Sequence, residues 1–358
     1  MSKPLEAFAA DLLANRPAIA EKLVEREFAA RAHLYERFGP AGRVRCLEDA
    51  QLHIEYLAEA LRAASVAMFC DYVSWADTLL VRRGIPSEHL AAHLRELAHV
   101  VREREPHEQA RQAAEYVEAG VTRLERPAKA LSSFIDDNDP LAPVARNYLA
   151  LLLGRNERAA ADLVVGLAQQ GTPVREIYLF VLQVCQYEIG RLWHHNEISV
   201  AQEHYFTQAT LRIMGRLLPL GTPPESRGLT IVCTSTGGEQ HDLGIRMVSD
   251  FFAMNGWTSH FLGANTPVRD LTAFVSDTKA DALAVSVTLA KHLTPAAQMI
   301  AGVKQAGLQK DPLVITGGRA FTSGAALWRA AGADLYAENA DSAVIAVNQI
   351  LAEFRSPG

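Results

Sequence analysis

The stretch "GLTIVCTSTGGEQHDLGIRMV", residues 228–248, decides the fold of the second half of the chain. Its opening residues are apolar and β-branched, which is typical of a buried strand. Gly237 and Gly238 permit a sharp turn, and a helix is predicted to begin near Gly244. His241 is therefore predicted to lie on the loop between strand and helix. The GxxxxGK[ST] and GxGxxG patterns are both missing, so this loop is not a phosphate or dinucleotide loop.

The remainder of residues 228–358 repeats this alternation of strand and helix. Further β-rich segments are "TSHFLG", "ALAVSVTL", "PLVITGG" and "DLYAE", and amphipathic stretches separate them. About five such alternations in 130 residues predict a doubly wound α/β domain with a parallel sheet, because parallel neighbours need helical crossovers. Ligands of such sheets bind at the carboxyl ends of the strands, where His241 is placed.

The chain before residue 228 reads as helical throughout. Residues 1–130 predict an all-α domain, and residues 138–220 predict a four-helix bundle with short connections. The stretch "FIDDNDPLAP" (134–143) separates these two regions, and "PLGTPPESRG" (219–228) is a linker before the sheet. The expected architecture is therefore multidomain, with two helical regions followed by an α/β domain.

Composition narrows the classes of function. The net charge is −6 and there is no basic block, so direct binding of nucleic acid is not expected. The four cysteines are scattered without a CxxC pair, which is typical of a reduced cytoplasmic protein. No uncharged run approaches the roughly 20 residues that span a bilayer, so no membrane segment is expected.

His241 is the residue most suited to chemistry in the α/β domain. An imidazole on the rim of the sheet can ligate a metal or transfer protons, with Glu239 or Asp242 bound to its other nitrogen. A solvated loop histidine is an equally plain interpretation of the spacing alone. Ser286 and Thr288 end one strand and Gly317-Gly318 ends another, and such small residues leave room for a narrow slot beside His241.

These residues together resemble the cobalamin-binding Rossmann-like domain. The series is Glu239-x-His241-Asp242-x-Gly244, then Ser286-x-Thr288, then Gly317-Gly318, with Glu239 where the family usually has aspartate. The resemblance implies that His241 is the lower cobalt ligand and that Asp242 orients it, although Glu239 leaves that partner open. It also implies that the cofactor's nucleotide tail enters the slot lined by the Ser/Thr and Gly-Gly positions.

The bundle before this domain resembles the Car-type cobalamin photoreceptors. Trp193, followed after nine residues by Glu203-His204, matches the positions that enclose the adenosyl group of adenosylcobalamin. The resemblance implies a light sensor rather than an enzyme, in which light breaks the Co–C bond and His204 becomes the upper cobalt ligand. It also implies light-dependent homo-oligomerisation and a downstream signalling partner. The adjacent His194-His195 is interpreted as a polar pair at a helix end.

The first 130 residues resemble the globin-like domain of photocobilins, which carry biliverdin beside cobalamin. The resemblance rests on the order of domains and implies biliverdin as a second chromophore. The side chains available for bilin propionates and pyrroles are His33, Arg37, His53, Tyr72 and Trp75.

Haem is the alternative ligand of this domain, with His53 or His93 as axial ligand. His89 and His93 are four residues apart on one helical face, but without a third ligand they are interpreted as a surface pair. Cys46 and Cys70 could attach a bilin or could be plain core thiols.

Two other functions fit the same sequence features. A corrinoid protein that carries methyl groups for a separate methyltransferase would use the bundle and the His241 loop equally well, and it is the main alternative. The Trp193/Glu203/His204 set favours the light sensor, because an adenosyl pocket has no use in methyl transfer. A haem-based gas sensor is the third interpretation.

Overall fold

A computed structural model describes residues 3–35, 39–126, 132–221, 225–323 and 326–355. The chain divides into two compact units, Met1–Ala130 and Leu131–Gly358. In the described part of the chain, no helix is both long and apolar enough to cross a membrane.

The first unit consists of helices in its described residues. They are α1 (Lys3–Ala14), α2 (Arg16–Tyr35), α3 (Gly39–Arg62), α4 (Val66–Val81), α5 (Ser87–Arg102) and α6 (His107–Leu124). Helix α4 begins where the Ser65 side chain accepts a hydrogen bond from the backbone N–H of Met68, which is a standard N-cap. The helical prediction for residues 1–130 is confirmed for these ranges, whereas the globin-like form stays a prediction.

The second unit begins with helices α7 (Ala142–Leu153), α8 (Glu157–Gln169), α9 (Val174–Ile177), α10 (Val184–His194) and α11 (Val200–Leu217). A π-helical segment, Tyr178–Gln183, joins α9 to α10. Ser199 and Gln202 form a capping box, which fixes the start of α11. Glu203 follows directly in the first turn of α11.

The sheet follows these helices. Its strands are β1 (Thr230–Ser235), β2 (Thr258–Gly263), β3 (Ala282–Ser286), β4 (Leu313–Gly317) and β5 (Leu335–Ala337). The helices between and after them are α12 (Leu243–Ala253), α13 (Val268–Asp277), α14 (Leu293–Lys304), α15 (Leu327–Ala330) and α16 (Ala340–Arg355), with 3₁₀ turns at Ala290–His292 and Arg319–Ser323. All strand pairs are parallel, in the order β2-β1-β3-β4-β5. The predicted parallel α/β sheet is confirmed.

One hydrophobic core joins the helices of the second unit to the sheet. It includes Phe206 of α11, Phe251 of α12 and Ile231 of β1, all buried. Within it, the buried Tyr178 hydroxyl lies 2.9 Å from an Asp250 carboxylate oxygen. The helical region therefore packs on the α12 side of the sheet through both apolar and polar contacts.

Candidate functional site

The carboxyl edge of the sheet brings small residues into one row. Ser235 at the end of β1 pairs in register with Ser286 of β3, which pairs with Gly317 of β4. The strand order reverses between β1 and β3, since β2 lies on one side and β4 and β5 lie on the other. This reversal is the position at which open α/β sheets bind ligands. The ends of β1, β3 and β4 therefore form a candidate ligand-binding edge beside the loop that carries His241.

His241 is held by Glu239. Its Nδ1 lies 2.6 Å from Glu239 Oε1, and its backbone N–H donates to the same oxygen at 3.1 Å. Because a carboxylate accepts, Nδ1 carries a proton, and in the neutral ring Nε2 then keeps a free lone pair. The His241 side chain is 55% exposed, so Nε2 is available to a ligand. The expected orienting role of Asp242 is wrong, since Glu239 occupies Nδ1 and Asp242 instead stands at the start of α12.

The second oxygen of Glu239 binds the loop after β3. Oε2 accepts the backbone N–H groups of Thr288 at 2.9 Å and Leu289 at 3.2 Å, and His292 Nδ1 lies 3.1 Å away. Glu239 therefore bridges the loops after β1 and β3. Sequence reasoning missed His292, whose signal is a histidine four residues after Thr288 at the start of a helix.

Glu239 and His241 shift each other's pKa in opposite directions. Burial alone would raise the pKa of Glu239, but hydrogen bonds from His241, His292 and Thr288 hold it far below its usual range. The hydrogen bond to Glu239 raises the pKa of His241, against the opposing effect of burial. In the neutral ring of His241 the proton stays on Nδ1, where it is bound to the Glu239 carboxylate. This hydrogen bond makes Nε2 a stronger electron donor to a metal.

Of the residues predicted to form the upper side of the cofactor site, Glu203 lies near His241. His204 Nδ1 is 2.5 Å from Glu203 Oε2, and Thr207 donates to the other oxygen of Glu203 at 3.0 Å. The Glu203 carboxylate is close enough to His241 to contribute to the raised pKa of that imidazole. Trp193 lies in the last turn of α10 and is half-buried. The structure thus brings Glu203 and His241 to one region of the second unit.

The neighbouring histidines are buried rather than solvated. His194 ends α10 and His195 follows it, as expected for a pair at a helix end. Their exposed fractions are only 6% and 8%, however, and their rings meet edge to face at 5.7 Å. The pair therefore belongs to the packed end of α10.

The residues at the ends of β1, β3 and β4 fit a corrinoid with a nucleotide tail, the ligand that the family resemblance implies. The hydroxyls of Ser235 and Thr236 are buried without a hydrogen-bond partner in the described residues, so a ligand at this edge has polar groups to bind. At Gly318 the backbone has φ +98°, and an added Cβ would collide with the backbone of Val287. Glycine is thus required directly after β4, because a side chain at this position would collide with the loop after β3.

The candidates in the first unit form a separate polar cluster. His53 Nδ1 lies 2.7 Å from the Tyr72 hydroxyl, and the His53 ring meets the His93 ring at 5.1 Å. His93 Nδ1 lies 2.6 Å from Glu27 Oε2, and both side chains are buried. The interpretation of His89 and His93 as a surface pair is therefore wrong for His93.

Other candidates of the first unit gain no support. Burial raises the pKa of Cys46 to about 11 and also raises the pKa of Cys70, so both thiols are poor nucleophiles for covalent attachment. Trp75 lies on α4, where its ring stacks near Tyr72 at 6.3 Å. The side chain of His33 and residue Arg37 lie outside the described residues. Biliverdin and haem both stay predictions.

Comparisons with known proteins identify the second unit. Residues 229–345 match the family model of a B12 binding domain, and residues 144–218 match a second model with that description. The chain is 31% identical over 168 residues to dimethylamine corrinoid protein 3 of Methanosarcina mazei, covering 47% of this chain and 96% of that protein. It is 27% identical over 188 residues to dimethylamine corrinoid protein 3 of Methanosarcina acetivorans, covering 51% of this chain and 86% of that protein.

A solved structure agrees with the fold. The monomethylamine corrinoid protein of Methanosarcina barkeri covers 58% of this chain and 99% of its own, with 19% identity and a TM-score of 0.51. At this identity the likeness shows the fold alone.

The expected light-sensing function is wrong. The relatives that the chain matches are corrinoid proteins named for dimethylamine, which agrees with the methyl-carrier alternative and not with a photoreceptor. The spacing of Trp193 and Glu203-His204 was the basis of that expectation, and it does not specify an adenosyl ligand. Cobalamin binding itself, predicted from the His241 series, is confirmed at the level of the B12 binding domain.

Proposed function

This chain belongs to the family of B12-binding corrinoid proteins, and from that premise we propose that it carries methyl groups on a cobalt corrinoid for a separate methyltransferase. The observation that carries the proposal is the Glu239–His241 pair, in which Glu239 holds Nδ1 of a half-exposed imidazole on the loop at the carboxyl edge of the sheet and leaves Nε2 for a ligand. Because its relatives are named for dimethylamine, we propose a methylated amine as the source of the methyl group.

The chain's own residues would hold the cofactor from below. His241 Nε2 would ligate cobalt. Glu239 would keep the proton of the neutral ring on Nδ1, so that Nε2 stays free for the metal. The row at the sheet edge, with Ser286, Thr288 and Gly317-Gly318, would receive the nucleotide tail. Asp242 and Gly244 would shape the start of α12 beside it. When bound, the corrinoid supplies a cobalt atom that accepts and releases a methyl group.

The bundle would cover the opposite face of the cofactor. Trp193, Glu203 and His204 lie on α10 and α11, and the pKa of His241 already responds to Glu203. We assign these three residues to the surface that faces the upper side of the corrin and shields it from water. A partner methyltransferase must reach this side, so the partner surface includes the exposed His204, whose side chain is 66% accessible.

The proposal is tested by loading the chain with hydroxocobalamin, reducing the protein-bound cobalt with titanium(III) citrate, and adding iodomethane. Absorption spectra after gel filtration report whether the corrinoid stays bound and becomes methylated. A thiol and the methyltransferase of a methylamine-using organism are then added, and methyl thioether is measured by mass spectrometry.

A bound corrinoid that passes through both steps supports the methyl carrier. A chain that binds no corrinoid, or that releases it on methylation, contradicts the proposal. His99→Ala is a suitable control for handling losses, because His99 is exposed on α5 in the first unit.

A further inference from the structure

Glu188 is a buried carboxylate of the bundle that the candidate cofactor site does not use. It lies on α10, five residues before Trp193, and is 4% exposed. Its Oε1 accepts hydrogen bonds from the Arg191 guanidinium at 2.7 and 3.1 Å, and its Oε2 accepts one from the backbone N–H of Phe134 at 2.9 Å. One carboxylate therefore holds partners on two separate segments of the chain.

Arg191 extends this contact to the turn between α10 and α11. Its guanidinium also donates to Glu197 in that turn at 3.3 Å, and its side chain is only 14% exposed. The backbone of the turn is constrained as well, since the N–H of Glu197 donates to the carbonyl of Leu192 at 2.9 Å. The turn leads into α11, whose first turn carries Glu203-His204. Glu188 is thus linked through one side chain to the start of α11.

The other partner of Glu188 is the entry segment, residues 132–135, through which the chain enters the second unit. Besides the Phe134 N–H, the Ser133 hydroxyl donates to Glu188. The Phe134 ring packs against the Tyr187 ring of α10, with their centroids 5.6 Å apart. The entry segment precedes residue 144, where the match to the B12 binding domain begins, so it lies outside the matched part of the bundle.

The charge of Glu188 makes these contacts interdependent. Burial alone would raise the pKa of Glu188, but hydrogen bonds from Arg191, Phe134 and Ser133 lower it, so the group is ionised. A buried carboxylate that loses a donor is left with an unsatisfied oxygen, which costs more than an ordinary hydrogen bond contributes. Loss of the Phe134 N–H should therefore turn the carboxylate toward water and release Arg191 from the turn.

We propose that Glu188 is a positioning residue for the surface over the corrin, and that it makes the position of this surface depend on the entry segment. It acts through Arg191 on the turn between Trp193 and Glu203-His204, the residues assigned to that surface. A displaced entry segment loosens the turn and opens the upper side of the cobalt. The inference rests on the proposed function for the identity of the surface, whereas the link from the entry segment to the turn does not.

Four variants of the full-length chain separate this link from packing. Glu188→Gln removes the charge and one acceptor oxygen. Phe134→Pro removes the backbone donor together with the ring, whereas Phe134→Ala removes the ring alone, so their difference isolates the N–H. Asp281→Asn is the matched control. The buried Asp281 likewise joins a backbone N–H, of Thr230, to the ammonium of Lys310, but it stands directly before β3, at the amino edge of the sheet.

The first measurement uses the apo protein labelled with 5-fluorotryptophan. The chain has four tryptophans, and the ¹⁹F resonance of Trp193 is assigned by its loss in Trp193→Phe. We expect this resonance to shift or split in Glu188→Gln and Phe134→Pro, and to keep its wild-type position in Phe134→Ala and Asp281→Asn. An unchanged resonance in folded Glu188→Gln overturns the proposal, and so does an equal change in Phe134→Pro and Phe134→Ala.

The second measurement is the rate at which azide replaces the upper water of bound hydroxocobalamin, followed by absorption. A hydrogen bond to a charged group contributes a factor of about 10 or more to an equilibrium, so the loosened turn should become about 10-fold more populated. We expect azide to bind about 10-fold faster in Glu188→Gln and in Phe134→Pro, with no further gain in the double variant, because both changes break one contact.

Cobalamin binding by the wild type distinguishes this inference from the proposed function. A wild-type chain that binds no cobalamin refutes the proposed function, while the Trp193 resonance still decides the link from the entry segment to the turn. A chain that binds cobalamin but gives equal azide rates in wild type, Glu188→Gln and Phe134→Pro refutes the positioning role and leaves the methyl carrier standing.

Discussion

Replacing Glu239 by glutamine removes one of the two acceptors on which the candidate site depends. In the wild type, two N–H groups bind Oε1 and three bind Oε2, at 2.6 to 3.2 Å. Glutamine keeps a single acceptor oxygen, so at least two donors lose their partner in a buried place. Since hydrogen bonds to a charged group contribute about 1.5–3 kcal/mol each, Glu239→Gln should destabilise the second unit by roughly 3 kcal/mol or more.

The pH dependence of this loss has a definite sign. The pKa of Glu239 is depressed in the folded chain, so its contribution is fully present above the unfolded pKa of about 4.3 and is lost as pH falls through the folded pKa. The difference in stability between wild type and Glu239→Gln should therefore be largest near neutral pH and should narrow below about pH 4.3.

Urea unfolding followed by tryptophan fluorescence measures this difference at several pH values. Glu239→Asp is the control, because it keeps both acceptor oxygens and the charge at the cost of one methylene. Cobalamin affinity should fall about 10- to 100-fold in Glu239→Gln, as for other partners of metal-bound imidazoles. Unchanged stability together with unchanged affinity would refute the role of Glu239 as the bridge between the two loops.

Three further predictions concern the framework around the site. Tyr178→Phe removes the hydroxyl partner of the Asp250 carboxylate and should lower the free energy of unfolding by about 1.5–3 kcal/mol. Tyr148→Phe removes a hydrogen bond to the neutral Thr210 hydroxyl and should lower it by about 1 kcal/mol. Equal losses of stability in urea unfolding would contradict this difference. Gly318→Ala places a side chain at φ +98° and should cost about 1–3 kcal/mol and weaken cobalamin binding; a wild-type melting temperature would contradict it. Burial and the neighbouring His93 lower the pKa of His53. The first unit should therefore lose stability as pH falls below about 6.5, by up to about 1.4 kcal/mol per pH unit. His53→Gln should reduce this pH dependence of stability in melts followed by circular dichroism.

The sheet was predictable because its periodicity is local. The β-branched run before Gly237-Gly238 and the regular alternation of strands and helices predict parallel order, and they place His241 at the carboxyl edge. The π-helical segment Tyr178–Gln183 was not predictable in this way. Its apolar spacing is that of an ordinary helix, so the sequence carries no signal for the wider turn.

The partners within the site could not be read from the sequence. Glu239 and Asp242 both stand within two residues of His241, and the loop conformation decides which of them reaches Nδ1. His292 and Glu239 are 53 positions apart and meet only because β1 and β3 are neighbours. The pairing of His93 with Glu27 across 66 positions depends likewise on helix packing.

The error about light sensing has a chemical cause. In the proposed complex, Trp193 and Glu203-His204 would form a polar and aromatic surface over the corrin, and such a surface could shield a methyl group as well as an adenosyl group. The series around His241 would serve both functions. The relatives, rather than the spacing, therefore favour the methyl carrier over the photoreceptor.

The identity of the lower cobalt ligand tests the account most directly. The chain is labelled with ¹⁵N-histidine, loaded with cobalamin and reduced to the Co(II) state, and the axial nitrogen splitting is recorded by electron paramagnetic resonance. We expect labelling to change the splitting from that of ¹⁴N to that of ¹⁵N, and His241→Ala to abolish the ¹⁵N pattern. A ¹⁴N pattern in the labelled wild type, from the cofactor's own base, would contradict it.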